Sequence, residues 1–384
     1  MVQTMKIALV TDVYGETNNG TCITARRLVE NMKARGHEVV VISPYACSEP
    51  GYVTLEKRRF PAFRHYIESN GVTFARPDEA LLRKGMEGCD LVHFLMPFKV
   101  CQVGVRIAQE MGIPYTTAFH CQPENITSHI FMLHTSLPNK FFYHLFWKRF
   151  YHDTHFVHCP SQFIADQLTE NGYDLDKRVI SNGVAPIFRH KETEKPAEWK
   201  DRFCILFTGR YSPEKRHDLL IRAAQQSRYA DRIQLIFAGN GPRRGAIEKM
   251  GSALKHPPIL GLYTPEELCN VINSCDLYVH PSDAEIEAIS CIEAFTCGLV
   301  PVISDSPKSA TNQFALTERN LFRQGDAGSL ARQIDYWVEH PQEKAELSQQ
   351  YREYAEQFAI ESCMDQMETM FEDACRYYRG KDAV

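Results

Sequence analysis

An α/β protein built from two doubly wound domains is what this sequence predicts, on three observations. At 384 residues the chain exceeds the usual size of one hydrophobic core, so two domains are expected. Its 44% hydrophobic and 24% charged residues mark a globular chain. Apolar runs of strand length alternate with helical periodicity in two successive series, the pattern of parallel sheets covered by helices on both faces.

In the first series, strands are expected at Ile7 to Val13, Glu38 to Ile42, Leu91 to Leu95, Pro114 to Phe119 and Phe156 to Cys159. Helical patterns at Thr21 to Arg35, Val100 to Met111 and Gln162 to Asn171 separate them. The charged stretch Arg189 to Asp201 reads as a linker. Strands at Phe203 to Phe207, Ile233 to Ala238, Leu277 to His280 and Val300 to Ser304 form the second series. The expected division is residues 1–186, residues 187–360 and a closing helical segment at 361–384.

The second series carries the chemistry. Glu285 and Glu293 stand eight positions apart, the first in the loop after Asp276-Leu-Tyr-Val-His-Pro-Ser and the second inside a helix read from Ser290 to Gly298. The amides of that helix's first turn fall between the two acids, where they suit an anion. One carboxylate would serve sugar hydroxyls, the amides a diphosphate, and the other carboxylate a ribose. A solvated acidic loop beside an ordinary amphipathic helix fits the spacing equally well.

The segment Glu285 to Glu293 resembles the E-x7-E motif of glycosyltransferase family 4, retaining enzymes of the GT-B fold. Other parts of that family's pattern occur in order. They are Met5-Lys-Ile-Ala-Leu-Val-Thr-Asp with Asn18-Asn-Gly20, Ser181-Asn-Gly-Val184, Phe207-Thr-Gly-Arg-Tyr-Ser-Pro-Glu-Lys215 and Phe237-Ala-Gly-Asn-Gly-Pro242. The resemblance covers nearly the whole chain. It implies two Rossmann-like domains facing a central cleft, an N-terminal acceptor domain, a C-terminal nucleotide-sugar domain and a last helix, from about Glu361 to Tyr378, that braces the first.

Residue roles follow from the same resemblance. Arg210 and Lys215 would neutralise the diphosphate leaving group, replacing a metal, so no metal and no cofactor is expected. His120, ending its strand, would touch the donor sugar, as Glu285 does. Gly20, Gly209, Gly239, Ala288, Ile289, Ser290 and Glu293 would complete the donor site. Position 288 is Ala where the family usually has Gly; a methyl fits there if φ is negative. Glu287 is an additional, less usual acid. Asp174-Leu-Asp176 has the spacing of a metal motif but follows a helix and Gly172, so it reads as a turn.

The halves differ in charge: residues 1–190 hold 20 Lys and Arg against 18 Asp and Glu, the remainder 23 against 30. That asymmetry argues for one lobe meeting an anionic surface and against nucleic acid. Residues 131–159 form an aromatic stretch with Lys140, Trp147, Lys148 and Arg149, and Lys57, Arg58 and Arg59 repeat the chemistry. Such a surface suits an anionic membrane, although a core helix plus a solvated loop would read alike. No run of 18 apolar residues occurs, no leader is evident, and the 13 cysteines include no C-x-x-C pair. A cytoplasmic protein with reduced thiols, peripheral on the inner membrane face, is expected.

Among family members the chain resembles bacterial 1,2-diacylglycerol 3-glucosyltransferases most. The expected function is transfer of glucose or galactose from a UDP sugar to a membrane lipid hydroxyl. The same chemistry on a soluble or glycan acceptor, and a non-catalytic sugar-nucleotide-binding protein, are the alternatives.

Overall fold

The computed structural model describes residues 4–15, 20–58, 73–124 and 136–381. Contacts divide the chain into two compact units, residues 1–182 with 363–384 and residues 183–362.

The first unit holds a seven-stranded sheet of β1 (Lys6–Val10), β2 (Glu38–Ser43), β3 (Tyr52–Thr54), β4 (Leu91–Phe94), β5 (Tyr115–Ala118), β6 (Phe156–Cys159) and β7 (Asp176–Val179). The order is β3-β2-β1-β4-β5-β6-β7 with every pairing parallel. The strand order reverses between β1 and β4, the switch point of a doubly wound sheet. Its crossovers include α1 (Gly20–Ala34), α2 (Glu79–Met86), α3 (Lys99–Glu110), α4 (Ser136–Arg149) and α5 (Gln162–Glu170). After Lys6 every residue of β1 is apolar, valine and isoleucine dominate β2, and these positions are buried, as a sheet covered on both faces requires.

The second unit repeats the plan with six parallel strands: β8 (Phe203–Thr208), β9 (Ile233–Ala238), β10 (Ile259–Gly261), β11 (Leu277–His280), β12 (Pro301–Ser304) and β13 (Leu321–Phe322). Their order is β10-β9-β8-β11-β12-β13. The helices are α6 (His217–Gln226), α7 (Arg244–Gly251), α8 (Pro265–Asn273), α9 (Ile289–Thr296), α10 (Ala327–Glu339) and α11 (Pro341–Ala355). Here the switch point falls between β8 and β11. Thr264 starts α8 with a reciprocal capping box to Glu267, and Pro265 fills its first position.

The charged stretch at 189–201 is no linker. It lies wholly within the second unit, where Trp199 joins the core, Lys195 donates to Asp276 at 2.5 Å, and the Lys191 amide donates to Asn273 at 2.8 Å. Its charges are solvated or paired, while its one aromatic ring is anchored; composition alone conceals that division of labour.

The last helix, α12 (Ile360–Lys381), enters the first unit from Cys363 on, burying Met364, Met367, Met370 and Phe371 there. Glu368 on this helix is buried and accepts from His37 Nε2 at 2.7 Å and from Arg35 at 2.7 Å. His37 Nδ1 accepts the Met5 amide at 3.1 Å, so the imidazole proton sits on Nε2. The pair fixes the helix against the start of β1 and β2.

Candidate functional site

At the carboxyl edge of the second sheet, the loops after β8 and β9 are laced together by backbone. The amides of Gly209, Tyr211 and Arg243 donate to Ala238, Asn240 and Tyr211 carbonyls at 2.9, 3.0 and 3.1 Å. This packing explains two glycines of the sequence pattern. A Cβ on Gly239 would sit 2.0 Å from the Gly209 oxygen, and one on Gly241 would sit 2.7 Å from the Tyr211 backbone. The loop carries half-buried Arg210 and then Lys215 to the mouth of the sheet.

The loop after β11 meets it. The Asp283 amide donates to the Glu214 carbonyl at 2.8 Å, and Arg216 pairs with the Asp283 carboxylate at 3.1 Å. Glu285 is held on its other side, where its carbonyl accepts the Ala310 amide at 2.9 Å. Its carboxylate is buried, and Oε1 accepts both from Lys215 Nζ and, at 2.9 Å, from His280 Nε2. Among the described residues no hydrogen bond reaches Oε2. Burial by itself would raise the Glu285 pKa, but the Lys215 charge and the His280 bond outweigh it and hold the carboxyl well below the usual range. Glu285 is therefore an anion with one oxygen fixed inward and one remaining.

The helix α9 follows. The amides of Ile289 and Ser290 open it with no preceding turn to accept from them. Glu293 lies one turn on, buried, on the same face as Ser290. Ala288 caps the helix at φ 62° and ψ 62°. The condition of a negative φ is not met: the backbone takes the left-handed turn that glycine takes without penalty, and the methyl is carried in that strained conformation. Glu287 is buried rather than solvated.

His120 lies in the other unit, just beyond β5, with its ring 5.2 Å from that of His158. Burial pushes its pKa well below the ordinary value, so it is neutral. Gly20 is the exposed first residue of α1. Asp176 starts β7 and pairs with Arg178 at 2.8 Å.

The expected membrane surface is only partly realised. Lys57, Arg58, Lys140, Lys148 and Arg149 are exposed, and Arg59 lies outside the described residues. The rings, however, turn inward: Tyr143, Phe146, Phe150, Tyr151 and Phe156 are core, and Trp147 is half-buried 5.0 Å from Tyr173. Among the described side chains of α4, Phe141, 61% exposed, is the large apolar one left to solvent. An aromatic-rich helix on a sheet spends its rings on packing first. Among the described residues, no helix is long and apolar enough to cross a membrane.

Sequence reasoning missed His280, Tyr278, Asp283 and Arg216. Only the signal of a histidine closing an otherwise apolar strand pointed to the first.

Two family profiles match in tandem, "Glycosyltransferase Family 4" over residues 18–186 and "Glycosyl transferases group 1" over residues 188–358. The alpha-monoglucosyldiacylglycerol synthase of Streptococcus pneumoniae is 23% identical over 315 residues, 78% of this chain and 71% of its own. The GDP-mannose-dependent alpha-mannosyltransferase of Corynebacterium glutamicum is 25% identical over 320 residues, 79% and 73% of the two chains. The crystal structure of Anabaena HepE in complex with UDP and glucose shares the fold with a TM-score of 0.71 at 17% identity, covering 96% of this chain and 100% of its own. Two parallel-sheet units, these two profiles in this order and that likeness of fold agree: the chain belongs to the GT-B glycosyltransferases, a Family 4 unit followed by a group 1 unit.

Proposed function

We propose that this chain is a retaining hexosyltransferase that moves glucose or galactose from a UDP sugar to a hydroxyl of a membrane lipid such as diacylglycerol. It works without a metal, on the inner face of the cell membrane. The observation that carries the reading is the Glu285 carboxylate, ionised, fixed through one oxygen and placed at the sheet edge where α9 begins. Such an oxygen accepts sugar hydroxyls. The amides of Ile289 and Ser290 receive the diphosphate, Arg210 and Lys215 offset the charge it gains on leaving, and Glu293 takes the ribose. Glucose and diacylglycerol are supported by the monoglucosyldiacylglycerol synthases among the relatives, and the anionic membrane by the exposed cations of α4 and the Lys57 segment.

One observation favours a second reading. With most rings of residues 143–156 buried, the apolar half of a membrane contact is small, which suits a soluble or glycan acceptor.

A panel of UDP and GDP sugars, scored by nucleotide release with and without diacylglycerol in anionic liposomes, tests both. UDP release that rises with lipid and survives EDTA is expected. At roughly 1 kcal/mol per surface cation, the protein should also sediment with anionic liposomes at low salt, and a Lys57→Glu, Lys140→Glu, Lys148→Glu variant should not. Lipid-independent turnover favours the soluble acceptor. GDP release overturns the donor assignment.

A further inference from the structure

Behind Glu285 runs a chain of side chains that sequence reasoning did not use. On β11, Tyr278 and His280 are two residues apart and so share one face of the strand. His280 is completely buried. Its Nε2 lies 2.9 Å from Glu285 Oε1 and its Nδ1 3.0 Å from the Tyr278 hydroxyl, which in turn is 3.2 Å from Ser290 Oγ. The chain therefore joins the carboxylate assigned to the sugar with the first turn of the helix assigned to the diphosphate.

We propose that His280 is a positioning residue: it locks the Glu285 carboxylate and, through Tyr278, the Ser290 side chain into one hydrogen-bonded arrangement that presents both to the donor. The inference rests on the proposed glycosyl transfer for what is presented, but on geometry alone for the arrangement.

The chemistry of the groups directs the two bonds to the imidazole. A carboxylate only accepts, so His280 donates from Nε2. Burial keeps the imidazole neutral, leaving Nδ1 as an acceptor for the single Tyr278 proton. The Tyr278 hydroxyl also meets Ser290 Oγ at 3.2 Å, a contact between two hydroxyls. The links run from Ser290 through Tyr278 and His280 to Glu285 Oε1, the oxygen that Lys215 also holds. In a neutral ring the Tyr278–His280 link cannot reverse without turning a bare Nε2 toward the Glu285 carboxylate, acceptor against acceptor.

A core histidine kept only for packing would not need both nitrogens committed to groups that lead to the site. The neighbours are consistent with a fixed ring: Phe207 stands edge-to-face at 5.4 Å and 85°. Gln reaches as far as Nε2 and offers an N–H there, whereas Leu fills the space without a donor.

The test compares His280→Leu, His280→Gln and Tyr278→Phe in the full chain. His280→Leu should lower kcat/KM for the sugar nucleotide about a hundredfold, as a misplaced reacting group does, while the affinity for UDP alone stays near wild type. His280→Gln should recover most of that loss, and Tyr278→Phe, which removes one oxygen, should lose about tenfold. A Leu variant with near-normal turnover, or Leu and Gln variants that are equally impaired, overturns the proposal. Should the Leu variant fail to fold, the Tyr278→Phe result stands alone, and normal turnover there is equally decisive. Independently of activity, ¹⁵N spectra of His280 should show the neutral form protonated on Nε2; the Nδ1 form overturns the arrangement. A wild-type chain that turns over no sugar nucleotide while showing the Nε2 form defeats the transferase reading and leaves the network standing.

Discussion

Lys215 and His280 both donate to the same oxygen of Glu285, although 65 positions of chain separate the two donors. Two donors on one oxygen leave the other for a ligand, and they tie the cation of the β8 loop to the acid of the β11 loop. If Lys215 and Arg210 stabilise the departing diphosphate, Lys215→Ala and Arg210→Ala should each cut turnover by about two orders of magnitude. Unfolding midpoints should move little, because both side chains are only half-buried. Steady-state rates on the preferred sugar nucleotide are the measurement, and near-normal values in both variants defeat the assignment.

The two acids should separate in binding. Glu293, one turn into α9, is assigned to the ribose, and Glu285, before the helix, to the sugar. Calorimetry with UDP should therefore show weakened binding for Glu293→Ala and nearly intact binding for Glu285→Gln, which instead loses donor turnover. Equal loss of UDP affinity in the two variants would mean that the roles are misassigned.

Ala288 offers a stability test inside the same loop. Its φ of 62° costs an alanine roughly 1–2 kcal/mol relative to right-handed backbone, and glycine escapes most of that cost. Ala288→Gly should raise the stability of the second unit by about 1 kcal/mol net of the added chain entropy. Thermal unfolding decides it: a lower midpoint for the glycine variant would show that the methyl makes contacts worth more than the strain.

What the sequence makes legible follows from what each feature depends on. Strands β2, β6, β9 and β11 are apolar runs bounded by turns, and residue type alone marks them. Strand β7, Asp-Lys-Arg-Val, carries no apolar alternation and forms because β6 offers it an edge; β10 and β13, of three and two residues, are too short for any period. Glu285, Glu293, Arg210 and Lys215 are visible because a shared pattern fixes their spacing. His280 is not, because its meaning depends on Tyr278, Ser290 and Glu285 converging through three separate pieces of backbone. The sign of φ at Ala288 is hidden since residue type argues against the left-handed turn that the loop imposes. On α4 the composition is plain and the orientation is not: exposed Lys140, Phe141, His144 and Lys148 share one face, and the remaining rings pack.

Acid should loosen the first unit in particular. Three of its histidines are buried together: His93 on β4 with its ring 6.4 Å from His158 on β6, and His120 at 5.2 Å from His158. His93 meets Thr116 at 2.8 Å and the Phe371 ring, and His158 donates to the Ile180 carbonyl at 2.7 Å. Among the described residues no carboxylate hydrogen-bonds to any of the three. Burial pushes His93 down to about 3 and His158 to about 4, from an ordinary 6.5, and lowers His120 as well. A histidine whose folded pKa is depressed leaves stability intact above 6.5 and takes it away below, because there the unfolded chain binds protons that the folded one refuses. Each such histidine should therefore remove about 1.4 kcal/mol per pH unit between pH 6.5 and its folded value. Asp12, raised by burial to about 7, pulls the other way over part of this window, but it is one group against three. Urea midpoints followed by a first-unit probe should fall steadily from pH 6.5 to 4.5, and His93→Phe should flatten that slope by about one proton. A midpoint that does not change across this range, or a His93→Phe variant with the wild-type slope, would mean that these imidazoles are not held neutral in the fold.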